Sequence, residues 1–332
     1  MTPGEKSNNI FVSDIMNINV ESVKLKLKSL NPNKSPGPDK ISPRVLKELH
    51  NELALPLAYL FNLSLIEGKL PSAWKHAEVT AIFKKGNKSD PGNYRPVSIT
   101  SIICRILESF IRDTIQIHME KHNLYSKCQH GFRKRRSCTS QLLEVMEDFT
   151  SFMDNKQDFD VIYMDFKKAF DSVPHERLLV KLQGYGITGY LLQWIRSFLE
   201  GRTQKVKIGS QCSKISNVTS GIPQGSILGP ILFTIFINDL PDTIKSICKI
   251  FADDTKIYDI SENCITIQND LDSLQSWSKK WLLFFNNQKC KRLHHGRNNE
   301  KHEYHLENNN GIDVLPEGDQ EKDLGVTFTT RV

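Results

Sequence analysis

The sequence predicts a mixed α+β fold whose core is a split βαβ, ferredoxin-like antiparallel sheet with helices on one face. Three observations carry this expectation. Short apolar runs at Val161–Met164 and on both sides of Asp253-Asp254 have strand character; helical periodicity fills most of the remaining chain; and the order strand, two helices, strand, turn, helix, hairpin, helix, strand never becomes a regular βαβ alternation. The two acid-bearing strands lie far apart in sequence, so the fold itself must bring them together.

Taken in order, the first 30 residues are polar and weakly patterned and are expected to form a loosely attached lead-in. Asn31 to Asp39 is rich in proline and reads as a loop, after which Ser42 and Pro43 have the chemistry of an N-cap and first helical residue, with helix continuing to Glu67 and stopped by Gly68 and Pro71. Val79 to Phe83 reads as a strand closed by Lys85-Gly86-Asn87. Ser101 to Glu120 reads as a long helix because Ile103, Ile106, Leu107, Phe110 and Ile111 share one face. A helix from Ser137 to Met153 leads into the Val161 strand, with Asp165 at its end. Pro174–Leu182 and Thr188–Leu199 are expected to be helical, Gln204–Ile208 extended, and Gly221–Ser226 a tight turn before the apolar helix Leu228–Ile237. After the acidic hairpin, Ile267, Leu271, Leu274, Trp277 and Trp281 return at helical spacing. The Asn- and His-rich stretch from His294 to Asn310 is expected to be mobile.

A chain of 332 residues with 39% hydrophobic and 25% charged residues has the composition of a soluble globular protein of about two lobes. There is no apolar run of membrane-spanning length and no signal peptide, so an intracellular protein of the nucleus or cytoplasm, without a membrane partner, is expected. Seven cysteines without a CxxC pair point to reduced thiols rather than a disulfide framework. The net charge is +6, and the basic residues cluster at Arg133-Lys134-Arg135-Arg136, at Lys84, Lys85 and Lys88, and at Lys289, Lys291 and Arg292. Such clusters attract the phosphates of nucleotides or nucleic acids.

The chemistry centres on Asp253 and Asp254, which the flanking apolar runs place at the tip of a hairpin. Adjacent like charges repel, and a divalent cation is the usual remedy; Asp-Asp is also ordinary solvated turn chemistry. Asp165 at the end of its own strand can complete a trio. Hard oxygen ligands suit Mg²⁺, and a pair of such ions clamps the attacking and leaving oxygens of phosphoryl transfer.

Three segments, Tyr163-Met164-Asp165-Phe166-Lys167-Lys168-Ala169-Phe170-Asp171, Gly221-Ile222-Pro223-Gln224-Gly225-Ser226 and Phe251-Ala252-Asp253-Asp254, resemble successive signature motifs of reverse transcriptases. Lys34-Ser35-Pro36-Gly37-Pro38-Asp39, Asn93-Tyr94-Arg95-Pro96-Val97-Ser98 and His130-Gly131-Phe132-Arg133 narrow the likeness to the non-LTR retrotransposon branch, the LINE-type and jockey-like elements. The resemblance covers residues 31 to 292. It implies a right-hand polymerase: a polar lead-in over 1–30, a fingers-like lobe over 31–158, a palm over 159–292 with part of the fingers interleaved, and over 293–332 a mobile stretch and the start of a primer-grip and thumb region at Leu324-Gly325-Val326, with the thumb itself largely absent.

By the same resemblance, Asp165, Asp253 and Asp254 are the metal-binding catalytic carboxylates, holding two Mg²⁺ ions with Mn²⁺ as a substitute, and Lys289 protonates the leaving pyrophosphate. Phe170 becomes the steric gate beneath the sugar; Gln224, Gly225 and Arg95 contact the incoming nucleotide, and Arg133 its triphosphate, with Arg135 and Arg136 as alternatives in the same run. The implied activity is RNA-directed DNA polymerisation on an RNA template and DNA primer with deoxynucleoside triphosphates. The alternatives are a catalytically weak nucleic-acid-binding relic of a truncated element, and a metal-dependent phosphohydrolase, which gives Phe170 and the Gly221–Ser226 turn no purpose.

Overall fold

The computed structural model describes residues 17–308 and 311–330. Its first half contains α1 (Val20–Lys28), α2 (Pro43–Glu48), α3 (His50–Ile66), β1 (His76–Phe83), β2 (Tyr94–Ile99), α4 (Ile102–Lys121), α5 (Cys138–Asp154) and β3 (Phe159–Met164). Then come α6 (Ala169–Ser172), α7 (His175–Gly184), α8 (Gly189–Leu199), β4 (Arg202–Ile208), β5 (Gln211–Cys212), β6 (Ser216–Val218) and α9 (Gly229–Phe236). The remainder holds β7 (Ile247–Phe251), β8 (Asp254–Ile260), α10 (Cys264–Trp281), β9 (Lys291–His295), β10 (His305–Asn308), β11 (Gly311–Val314), β12 (Gln320–Asp323) and β13 (Val326–Thr329).

Local chemistry sets many of these boundaries. Ser42 caps α2 by accepting from the Arg44 N–H, with Pro43 behind it; Ser101 caps α4; and Ser137 and Ser140 form a reciprocal capping box at α5. The described part of the lead-in is not loose. Asn19 caps α1, and Val23 and Leu27 are buried, α1 lying against α3. Residues 1–16 of that expectation lie outside the described chain.

Two compact units share the chain. Of the described residues, one comprises 17–124 and 173–233, the other 125–172, 234–308 and 311–330. Both units are assembled from separated stretches of chain, for reasons of packing. Residues 173–233, within the range expected to hold the palm with part of the fingers interleaved, join the first unit, where β4 pairs in parallel with β1. Conversely, α5, expected within the first lobe, packs Val145 and Phe149 against Phe159, Val161, Tyr258 and Leu293 of the second unit's sheet.

In the first unit the strand order is β2-β1-β4-β5, with β6 also on β4. The apolar face of α4 supplies a core, with Leu107, Ile111 and Ile115 inaccessible to solvent. The second unit is built on the four-stranded sheet β7-β8-β3-β9, every neighbouring pair antiparallel, with β10–β11 and β12–β13 as separate hairpins. The mixed α+β content and the antiparallel sheet agree with the sequence expectation.

The stretch expected to be mobile from His294 is instead anchored between His294 and Tyr304, while Asn309 and Asn310 lie outside the described residues. His294 and His295 end β9 and are buried; His294 Nδ1 lies 2.7 Å from Asp160 Oδ1, and the Tyr304 hydroxyl donates to Asp160 Oδ2 at 2.6 Å. A fully buried carboxylate must be satisfied by hydrogen bonds, and here it recruits the chain that follows the sheet. No described helix is long and apolar enough to cross a membrane, and all seven cysteines are free thiols.

Candidate active site

The acidic hairpin forms as expected. Phe251 pairs with Asp254, leaving Ala252 and Asp253 as a two-residue turn. Ala252 has φ +55, a left-handed backbone that costs a residue with a Cβ about 1–2 kcal/mol. Its surroundings hold it there. Gln129 Oε1 accepts from the Ala252 N–H at 3.1 Å and from the Gly131 N–H at 2.7 Å, while Ile250 N–H donates to Cys128 O at 2.9 Å and His130 N–H to Ile250 O at 2.8 Å. The 128–131 segment thus adds a short parallel edge to β7. A Cβ on Gly131 would meet the Ala252 nitrogen at 2.5 Å, so only glycine allows this approach.

Asp165 follows β3, and its backbone is fixed on both sides. Its N–H donates to Cys290 Sγ at 3.4 Å and its carbonyl accepts from the Asn286 N–H at 2.7 Å. Lys289 Nζ stands 3.6 Å from Asp165 Oδ2, an exposed pair that brings these two residues together. Asp253 and Asp254 are exposed as residues. The Asp254 carboxyl is nevertheless pushed up to about 6, first by desolvation and then by Asp253, Asp323 and Asp165 around it. Asp165, Asp254 and Lys289 line a cavity of about 100 Å³ together with Tyr163, Met164, Thr255, Lys256, Glu321, Lys322 and Asp323.

Among the described residues, no three His, Cys, Asp or Glu side chains converge tightly enough to form a metal cage. The donor set still suits Mg²⁺, which binds through one or two carboxylates plus substrate phosphates rather than through an all-protein cage. Asp165 Oδ2 accepts no hydrogen bond and has only the Lys289 ammonium near it, and around Asp254 the three carboxylates outweigh the one opposing charge, Lys256, a setting that a cation would relieve.

Beneath the acids runs a row that sequence reasoning missed. Antiparallel register places Lys249, Lys256, Tyr163 and Lys291 side by side across β7, β8, β3 and β9, on one face of the sheet. Each lysine has an acid. Lys249 meets Glu144 of α5 at 2.8 Å, Lys291 meets Glu321 at 2.5 Å, and Lys256 pairs with Asp323. Burial pulls the Lys256 pKa down, and Asp323 opposes that pull. A lysine inside the apolar alternation of Thr255-Lys256-Ile257-Tyr258 was the available signal; its partner, dozens of residues away, was not legible.

Phe170 is half-buried on α6. Arg133 directs Nη1 to the carbonyls of Ser126 and Gln129, at 2.8 and 3.3 Å, and its guanidinium lies over the Tyr125 ring at 4.7 Å. Arg136 is bound to Glu144, and Arg135 is exposed.

The remaining expected contacts belong to the first unit, where they cluster around the Gly221–Ser226 turn. Gln224 O accepts from the Ser98 N–H at 2.6 Å, and Gly225, at φ +110, is so close to β2 that a Cβ would meet Ser98 O at 2.6 Å. Arg95 is exposed on that same strand. Two further residues, not foreseen in this role, hold the turn. His175 Nε2 contacts Gly221 O at 2.8 Å, and the fully buried Glu108 accepts from the Ile227 and Leu228 N–H groups at the start of α9, at 2.8 and 3.2 Å. Burial raises the Glu108 pKa, and these two N–H groups oppose it. A glutamate on the apolar face of α4, with no acid in the first turn of α9, was the faint signal for this contact.

The chain is similar to known proteins over most of its length. The family described as "Reverse transcriptase (RNA-dependent DNA polymerase)" matches residues 82–328. The RNA-directed DNA polymerase from mobile element jockey of Drosophila melanogaster is 31% identical over 286 residues, which is 82% of this chain and 31% of that protein. The probable RNA-directed DNA polymerase from transposon BS of the same organism is 31% identical over 292 residues, with the same shares covered. That from transposon X-element is 30% identical over 270 residues, 77% of this chain and 29% of the relative. The chain therefore spans under a third of the length of these relatives.

Proposed function

Because the chain belongs to the reverse transcriptase family, we propose that it is the RNA-directed DNA polymerase domain of a non-LTR retrotransposon, extending a DNA primer on an RNA template. The single observation that carries this reading is the acid face of the β7-β8-β3-β9 sheet, with Asp254 crowded by Asp253 and Asp165 and with Asp165, Asp254 and Lys289 lining one small cavity. The second unit takes the role of palm and the sheet of the first unit that of fingers.

In this mechanism Asp165, Asp253 and Asp254 are the Mg²⁺ ligands. When bound, the ions lower the pKa of the primer 3′-hydroxyl and neutralise charge on the leaving pyrophosphate. Everything else falls to the chain. Gln129 holds Ala252 in its left-handed turn and so orients Asp253. Lys289, beside Asp165, gives its Nζ proton to the leaving pyrophosphate. Arg133, oriented by two carbonyls and a ring, contacts the triphosphate, with Arg135 exposed in the same run; Arg95, Gln224 and Gly225 contact the nucleotide and its paired template. Phe170 excludes a 2′-hydroxyl.

Primer extension on an RNA template by the purified chain tests the proposal. Asp253→Asn should lower kcat by at least on the order of 10³-fold while leaving primer–template affinity nearly unchanged. Extension by the variant at a comparable rate would remove Asp253 from the metal site.

A further inference from the structure

We propose that Lys256 and Asp323 form a positioning pair, a buried ion pair that touches no substrate but fixes the β12–β13 hairpin over the acid-bearing face and thereby sets the rate of nucleotide transfer. The inference rests on the polymerase reading above.

The pair is almost wholly enclosed, with side-chain exposures of 3% for Lys256 and 5% for Asp323. Removing two charges from water gives little net stability, so the burial calls for another reason. Its place supplies one. Lys256 follows Asp254 by two residues on β8, and Asp323, which ends β12, lines the same cavity as both. Asp323 is therefore among the groups that crowd Asp254, and its bond to Lys256 keeps it from adding an uncompensated negative charge there.

A second pair repeats the arrangement. Glu321, two residues earlier on β12, meets Lys291, so alternate acids of one strand dock on two lysines of one sheet row, with Tyr163 between them. The Lys291–Glu321 pair is partly exposed and contributes little by itself. Backbone bonds bring the chain to this place, from Arg292 N–H to Pro316 O at 2.9 Å and from Gly318 N–H to Arg292 O at 3.0 Å. At the far side Phe328 of β13 packs on Phe149, with ring centroids 5.7 Å apart. The hairpin is thus tethered at both ends by contacts remote from the acids, and Lys256–Asp323 is the tether beside Asp254. Lysine is the residue type suited to this task, since its long stem spans from the sheet to the hairpin while its ammonium bonds the carboxylate.

The test uses the full chain and three variants, Lys256→Met, Asp323→Asn and the double Lys256→Met/Asp323→Met. An apolar pair of similar volume can replace a buried ion pair without loss of fold, whereas a lone buried charge cannot be left behind cheaply. Hydrogen exchange of residues 320–329, primer-extension kcat and nucleotide KM are measured on each. Lys256→Met should speed exchange of the hairpin amides at least tenfold and lower kcat by roughly 10- to 100-fold, as for other groups that orient catalytic ligands, with KM changed less than threefold. The double variant should restore both protection and kcat. It also supplies the decisive comparison if the single variant fails to fold.

Three outcomes would overturn the proposal: an unchanged kcat in folded Lys256→Met, a lowered kcat with the hairpin still protected, or a double variant that is protected yet slow, which would make Asp323 act directly. If the unaltered chain extends no primer, the polymerase reading fails. The exchange of the three variants still decides whether the pair holds the hairpin.

Discussion

The sheet of the second unit is covered on both faces along most of its length, whereas the sheet of the first unit loses its cover toward one end. β3 is buried at five of its six positions, and β8 is buried from Thr255 to Tyr258; β1 and β4 carry their buried residues near the start and finish exposed. The two sheets also treat charge differently. The covered one buries Asp160, Lys256 and Arg292 within its strands, whereas the other buries Arg202 at the very start of β4 and its bare ends lead to the exposed Lys84, Lys85 and Lys88 and to Lys207. The contrast teaches where precision is required. Groups that hold a metal must be fixed to within about half an ångström by packed neighbours, whereas groups that follow a phosphate backbone act through charge and tolerate motion.

The largest effect that sharpens this contrast is expected at Phe170, on the second unit. If its half-buried ring lies beneath the sugar, Phe170→Val relieves a clash that only a ribonucleotide meets. The ratio of kcat/KM for a matched deoxy and ribo pair should fall on the order of 100-fold, about 2.7 kcal/mol, with deoxynucleotide use reduced only modestly. An unchanged ratio in an active variant would return Phe170 to core packing alone and break the claim that this unit holds the substrate closely.

Next in size is the loop between β1 and β2. Replacing Lys84, Lys85 and Lys88 with Ala should weaken primer–template binding and reduce the slope of log affinity against log salt by up to about two, at roughly 0.7 for each single-strand phosphate no longer neutralised. The kcat at saturating nucleic acid should not move. A lowered kcat with an unaltered salt slope would mean that the exposed sheet acts on chemistry rather than on binding, and the division drawn above would fail.

How much of this was legible depends on the range of the interactions. The acidic hairpin, the turn at Gly221 and the caps at Ser42, Ser101 and Ser137 rest on contacts within a few residues, and apolar alternation or cap chemistry is enough to read them. Lys256–Asp323 and Glu108–Ile227 were hidden because antiparallel register and helix docking decide them, and one sequence states neither. The anchored His294 shows the same limit from the other side. Its Asn- and His-rich surroundings have the composition of a mobile linker, and only the buried Asp160, far upstream, reveals why the chain is held.

The smallest expected effect tests the covered sheet through its titration. With the folded Asp254 carboxyl near 6, against the ordinary carboxylate value in the unfolded chain, the native state holds the proton more tightly between about pH 4 and pH 6. Stability must then fall as pH rises through that window and stay level above it, because the ionised form is the one that burial, Asp253, Asp323 and Asp165 disfavour. A divalent cation reverses the preference by favouring the ionised carboxylates. Without metal, the Tm of the unaltered chain should therefore decline between about pH 4 and pH 6 relative to Asp254→Asn and run parallel to it above that. Millimolar Mg²⁺ at about pH 7.5 should raise the Tm of the unaltered chain by a few degrees and that of the variant by less. Parallel Tm profiles for the two proteins, with no differential response to Mg²⁺, would show that the crowding of carboxylates exerts no measurable strain. The covered sheet would then differ from the exposed one in packing alone.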